Sequence, residues 1–308
     1  MTKQIQILDG GMGRELARNG APFRQPEWSA LALIEAPQYV RQAHDAFIHA
    51  GAQVITANSY AVVPFHIGEA RFQADGAALA WLAGSLARAA ADASPHPVCV
   101  AGSLPPALGS YRPDLFEPVA AGAILQVLID ALRDSVDIWL AETQSAIAEV
   151  RLVAELLKGD RRPLWFSFTL NDALDEQGHA RLRSGERICD AVTAATELNA
   201  AAVLFNCSPP EVMSAALREA AANCTLPLGV YANAFEPADN KRGANVGISE
   251  LRTDTQPPNY LRWAQEWVGQ GASIVGGCCG IGPEHIAALA AAFPPAGSLH
   301  HPLGVSHD

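Results

Sequence analysis

The chain has 308 residues, 49% of them apolar, and a formal net charge of −11. That composition can bury a large core, and its acidity without any basic cluster argues against nucleic acid as a partner. No run of about 20 apolar residues occurs and no apolar segment precedes the first strand-like run, so neither a membrane span nor a signal peptide is expected, and the cytoplasm is the expected location.

Short apolar, β-branched runs recur along the chain, each leading into small or polar residues. The first, Ile5 to Leu8, leads into Asp9-Gly10-Gly11-Met12-Gly13. A helical face follows, with Val40, Ala43, Phe47 and Ile48 on one side and Gly51 where a helix would end. The second run is Val54 to Thr56, before Ala57-Asn58-Ser59-Tyr60. The third is Val98 to Ala101, before Gly102-Ser103. The fourth is Ile138 to Ala141, before Glu142-Thr143. Ile147, Val150, Ala154 and Leu157 then share a helix face that stops at Gly159. The fifth run is Leu164 to Thr169, and the sixth is Ala202 to Phe205, before Asn206-Cys207. Pro209-Pro210 suits a helix start. The seventh run is Leu228 to Tyr231, before Ala232-Asn233, and Leu261, Ala264, Trp267 and Val268 make the next helix face. The eighth is Ser273 to Val275, before Gly276-Gly277-Cys278-Cys279-Gly280.

Eight buried-type strands alternating with helices, with no break in composition, predict an α/β chain folded as one (β/α)8 TIM barrel over residues 1–293. A doubly wound sheet is the rival arrangement. Residues 294–308, with His300, His301 and His307, read as a C-terminal tail with surface histidines. Long connections are expected over about 60–72, 104–118 and 234–255, all rising on one end of a barrel, the last as a lid or a solvated loop.

In a barrel the residues just after each strand gather at one mouth. Those positions hold Asp9, Asn58, Ser103, Glu142, Asn206-Cys207, Asn233 and Cys278-Cys279. Asp9 and Glu142 could accept hydrogen bonds from a substrate ammonium group, beside the glycine turn at Gly10-Gly11. The rival reading is a pair of solvated strand-end carboxylates. Gly11-Met12-Gly13-Arg14-Glu15-Leu16 carries leucine where a dinucleotide loop needs its last glycine, so a nucleotide is not expected there.

Cys207 and the pair Cys278-Cys279 follow strands two apart in a barrel, roughly 10 Å across one intervening strand, so side chains leaning over the rim can meet. Three thiolates form a soft site suited to zinc, and three protein ligands with an open fourth position are the catalytic arrangement. No C-x-x-C pair of a structural site is present. Buried free cysteines are the alternative, and position alone leaves both readings open. For Cys99, Cys189 and Cys224, inside a strand or in helical patterns, the free-thiol reading is expected.

Asp9-Gly10-Gly11-Met12-Gly13, Asn206-Cys207 and above all Gly276-Gly277-Cys278-Cys279-Gly280 resemble the homocysteine S-methyltransferase family, in order from Asp9 to about Leu289. The resemblance implies a (β/α)8 barrel with zinc held by Cys207, Cys278 and Cys279, the homocysteine sulfur taking the fourth position, and acidic residues at Asp9 and Glu142 on the substrate amino group. It implies a site lined further by Gly10, Gly11, Asn58, Ser103, Asn206 and Asn233, with Asn233 matching an asparagine that can cap the metal in cobalamin-dependent relatives. Position 143 is threonine where betaine-dependent members carry tyrosine, which points to a sulfonium donor, S-methylmethionine or S-adenosylmethionine. The expected partners are therefore small molecules. Betaine or another donor, a different thiol or selenol acceptor, and a non-catalytic barrel with a structural or redox cysteine cluster are the alternatives.

Overall fold

A computed structural model describes residues 4–235 and 251–294. Eight strands form one sheet: β1 (Gln6–Ile7), β2 (Val54–Thr56), β3 (Cys99–Leu104), β4 (Ile138–Gln144), β5 (Leu164–Phe168), β6 (Ala202–Asn206), β7 (Leu228–Tyr231) and β8 (Ala272–Val275). The order is β1-β8-β7-β6-β5-β4-β3-β2, with parallel pairing throughout. A parallel bridge between Leu8 and Val54 joins the first strand to the second. Backbone bonds from Gln53 to Ile7 (2.8 Å) and from Asp9 to Val54 (3.0 Å) complete the junction. The sheet therefore closes on itself as the expected (β/α)8 barrel, and an open doubly wound sheet is excluded.

Closure gives each strand two apolar faces. Ile138 and Leu140 of β4, Trp165 of β5, Ala202 and Leu204 of β6 and Ile274 of β8 pack together inside the barrel. Their neighbours Trp139, Ala141, Phe166, Val203, Phe205 and Val275 belong instead to the larger cluster under the helices. Strand side chains alternate between faces. Two residues beyond the last apolar layer, the same inward register reaches Ser103 of β3, Glu142 of β4, Ser167 of β5 and Asn206 of β6. The polar groups at the mouth are thus set by the period-two pattern of the strands themselves.

The helices match their sequence faces. Pro37–His49 buries Val40, Ala43, Phe47 and Ile48. Phe47 is fully buried, worth about 1.5–3 kcal/mol for a side chain of that kind. Gly51, Gly159 and Gly271 adopt φ of +102°, +90° and +112° just past helix ends, the left-handed conformation that terminates a helix at low cost in glycine. Pro210–Asn223 starts on the expected proline.

Two expectations needed adjustment. The connection over 60–72 contains a short helix, Pro64–Ile67, and the start of a long one, Glu69–Asp92. Strands β3 and β4 run past their expected ends, through Leu104 and Gln144, because the parallel ladder outweighs the local glycine and polar signals. Most of the 234–255 connection, and the expected tail beyond Pro294, lie outside the described residues. Among the described residues, no helix is long and apolar enough to cross a membrane.

A candidate thiol and carboxylate site at the barrel mouth

Beyond β8 the backbone presses against β1. A Cβ on Gly276 would lie 2.5 Å from Leu8 Cβ, and one on Gly277 would lie 2.1 Å from Ile281 Cγ2. These glycines allow close approach rather than a left-handed turn, which falls at Gly280 (φ +86°). The turn is then fixed by backbone bonds: Gly277 donates to Asp9 (3.0 Å), Cys278 to Ala232 (3.0 Å) and Ala234 to Cys279 (2.8 Å). From β6, Cys207 arrives in a left-handed conformation, φ 50°.

The three expected thiols meet here. The sulfurs of Cys207, Cys278 and Cys279 all lie within 4.8 Å of one another. Cys207 and Cys278 are joined as a disulfide, with Cα atoms 5.8 Å apart. The expectation of free thiols holds for Cys99, Cys189 and Cys224; Cys279, for which position alone leaves both readings open, is free as well, and all four are half-buried, whereas the strand ends of Cys207 and Cys278 bring those two sulfurs together. Once reduced, the trio offers three soft donors around one point, with no further His, Cys, Asp or Glu ligand in the group among the described residues. Such a donor set fits a thiophilic divalent ion with one position left for another ligand.

Two buried carboxylates share the mouth. Asp9 accepts from the Thr56 amide (2.7 Å) and hydroxyl (3.2 Å). Its pKa is pushed up to about 8, first by desolvation and further by the charge of Glu142. Glu142 accepts from the Ser103 hydroxyl and from the Tyr231 hydroxyl (3.4 Å). Desolvation raises its pKa to about 7 against those two bonds. Among the described residues neither acid has a cationic partner in an ion pair. Glu142 in turn helps to push the Cys279 thiol up to about 11, behind desolvation as the main cause, so the acids and the sulfurs share one electrostatic neighbourhood.

The remaining expected residues have definite placements. Ser103 is fully buried and orients Glu142. Asn206 is also fully buried: its Oδ1 accepts from the Thr143 amide (3.0 Å) and the Ser167 hydroxyl (2.7 Å), and its Nδ2 donates to Thr143 Oγ1 (2.9 Å). Asn58 donates to the Ser29 carbonyl (3.0 Å). Asn233 uses Oδ1 to accept from the Phe235 amide (3.2 Å). Gly10 and Gly11 have a packing reason, since a Cβ would lie 2.3 Å from the Ile281 carbonyl oxygen and 2.5 Å from that of Cys278 respectively.

Sequence reasoning missed Tyr231, Thr56 and Ser167, and it read Thr143 only for the donor and not for its bonds to Asn206; these are the groups that hold Asp9, Glu142 and Asn206. The inward strand register would have found Ser167 and Tyr231. Thr143 has φ 59°, which no local signal announces.

A sequence model of the homocysteine S-methyltransferase family matches residues 6–293. The chain is 33% identical to the homocysteine S-methyltransferase of Escherichia coli strain K12, over 94% of this chain and 95% of that one. It is 27% identical to the selenocysteine methyltransferase of Astragalus bisulcatus, over 91% and 90%. The crystal structure of the homocysteine methyltransferase MmuM from Escherichia coli in its metallated form superposes with a TM-score of 0.75 at 32% identity, covering 94% of this chain and 97% of that one.

Proposed function

The chain belongs to the homocysteine S-methyltransferase family, and from that premise we propose that it moves a methyl group from a sulfonium donor, S-methylmethionine or S-adenosylmethionine, to the thiol of L-homocysteine, giving methionine. Cys207, Cys278 and Cys279 hold zinc in this reading, and Asp9 and Glu142 hold the substrate amino group. The observation that carries it is the juxtaposition of three converging sulfurs with two buried, cation-less carboxylates.

Each residue has a task. An ammonium group relieves the desolvation that raises Asp9 and Glu142, so both acids bind it in their ionised forms. Thr56, Ser103 and Tyr231 donate to those carboxylates and fix their direction. Zinc, when bound, supplies a Lewis acid that lowers thiol pKa values and so makes a thiolate available near neutral pH. The homocysteine sulfur then attacks the donor methyl carbon in line. A new S–CH3 bond forms as the donor S–CH3 bond breaks, and the electron pair of the broken bond leaves on a neutral thioether. The thiol proton has already gone to solvent, so the leaving sulfur needs no general acid. Thiolate and sulfonium charges cancel in the step, which favours a water-poor site such as this buried mouth. The chain's main contribution is to hold both partners in line.

The test is methionine formation from homocysteine by reduced, zinc-loaded protein with S-methylmethionine, S-adenosylmethionine or betaine offered separately. Turnover with a sulfonium is expected. Turnover with betaine alone overturns the donor, and none with any donor overturns the function. A selenol acceptor is the second reading, favoured by the similarity to a selenocysteine methyltransferase; selenocysteine in place of homocysteine in the same assay decides it.

A further inference from the structure

The reaction needs two amino-acid-like molecules in one mouth, and Asp9 and Glu142 account for the head group of only one. A second charged pair stands nearby. The segment after β5 folds back over the strand: Arg183 donates its backbone amide to Thr169 (3.2 Å) and Ser184 to Ser145 (3.0 Å), while Thr169 Oγ1 donates to the Cys207 carbonyl (3.4 Å). This places Arg183 above β5, between the strands that carry Glu142 and Cys207. Its Nη2 meets Asp172 Oδ1 at 2.5 Å, and the two side chains are only 10% and 12% exposed.

The guanidinium lies over the face of Tyr111, 4.9 Å from the ring centre. Tyr111 has φ 64°, a strained conformation for a bulky residue that puts its ring over this spot. The preceding residue, Ser110, meets the Tyr60 hydroxyl at 2.6 Å. The Tyr111 hydroxyl is held far above its usual range, chiefly by desolvation, and it feels the charges of both Cys279 and the Arg183–Asp172 pair. Tyr60 likewise feels Cys279 and Glu142. The two tyrosines thus join through Ser110, with the Arg183–Asp172 pair against the face of the Tyr111 ring.

We propose that this is the donor subsite: Tyr60 and Tyr111 wall the sulfonium centre, and Arg183 and Asp172 read the α-amino-acid end of the donor, carboxylate to Arg183 and ammonium to Asp172. The proposal rests on the sulfonium reading above. Its chemistry is matched on both counts. A sulfonium is a weakly hydrated cation that favours aromatic faces, and an adjacent acid and guanidinium are complementary to a zwitterion. Betaine has no N–H to donate to Asp172, so the subsite also gives a reason for preferring amino-acid sulfoniums, whose ammonium group can hydrogen-bond there.

The experiment compares S-methylmethionine with trimethylsulfonium, which transfers a methyl group by the same chemistry but has no amino-acid end. Wild-type protein is expected to prefer S-methylmethionine in kcat/KM. In Arg183→Met that preference falls by about 10–100-fold, the worth of a charged hydrogen-bond set, with the donor KM rising and the homocysteine KM unmoved. Asp172→Asn shifts the preference the same way by a smaller factor, and serves if the arginine variant fails to fold. Equal loss with both donors in these variants, or a rise in the homocysteine KM instead, overturns the subsite and leaves a loop clamp. Wild-type protein that makes methionine from no sulfonium overturns the functional reading itself, a separate result.

Discussion

Asn206 at the end of β6 closes two hydrogen bonds on Thr143 at the end of β4, accepting from its amide at 3.0 Å and donating to its hydroxyl at 2.9 Å. The clasp spans β5, whose Ser167 adds a third bond at 2.7 Å. Thr143 and Cys207 both have left-handed backbones, φ 59° and 50°, and they flank Glu142 and Asn206 in sequence. One buried carboxamide thus steadies the strained turns that carry a candidate substrate acid and a candidate metal ligand. Asn206→Ala removes three buried hydrogen bonds to Thr143 and Ser167. The expected cost is about 2–4 kcal/mol by chemical denaturation, together with weaker metal retention. A variant as stable as wild type would show that the clasp holds nothing.

Metal binding is predicted to require all three sulfurs in reduced form. Reduced protein should take up one zinc per chain, and Cys207→Ser, Cys278→Ser and Cys279→Ser should each lose it, as measured by metal analysis after gel filtration. Cys99→Ser and Cys224→Ser should keep it, since both side chains stand apart from the cluster. Full zinc content in any of the first three variants contradicts the assignment.

The raised carboxyls predict a pH dependence. Asp9 and Glu142 have pKa values of about 8 and 7, above their ordinary values of 3.8 and 4.5. Burial disfavours their ionised forms, so the ligand-free protein is favoured below the ordinary values and loses that stability as pH rises through about 7 to 8. An ammonium-bearing ligand has the opposite preference. Methionine, which has no thiol to titrate, should bind more tightly as pH rises from about 6 to 8, and Asp9→Asn should flatten the rise. Calorimetric titration across that range measures both. Affinity that falls with pH in wild-type protein rules out the two acids as the ammonium site.

Gly11 is predicted to tolerate no side chain. A Cβ there meets the Cys278 carbonyl oxygen at 2.5 Å and the Cys279 Cα at 3.0 Å, backbone that cannot swing aside. Gly11→Ala should cost about 1–3 kcal/mol and loosen zinc by displacing the Cys278-Cys279 turn. Gly269→Ala is the control: nothing lies within 4 Å of its added carbon, and removing a helix glycine should stabilise by about 0.4–1 kcal/mol. Denaturation midpoints of the two variants should move in opposite directions.

The barrel was legible because buried parallel strands read as unbroken apolar runs, and all eight runs became strands. Their ends were less so. Glu142 and Ser103 read as residues after strands, yet they lie within β4 and β3, where ladder bonds from neighbours outweigh local composition. That Cys207, Cys278 and Cys279 could meet was legible from their places just past strands two apart, but position alone leaves a metal site and buried free cysteines equally open until the Gly-Gly-Cys-Cys-Gly resemblance is added. Gly10 and Gly11 were not legible, because their reason is contact with Ile281 and Cys278 some 270 residues away. The roles of Thr143 and Asn206 likewise depend on a pairing across two strands. Arg183 and Tyr111 come from different loops and share no local pattern; only the folded mouth brings them together.

The most direct test of the account is zinc-edge X-ray absorption on reduced, zinc-loaded protein with and without homocysteine. Three protein sulfurs around the metal are predicted in the absence of substrate, and four when homocysteine is added, the fourth being its own. A sulfur count that stays at three on saturation with homocysteine, or that falls below three without it, would contradict the claim that Cys207, Cys278 and Cys279 build the methyl-acceptor site.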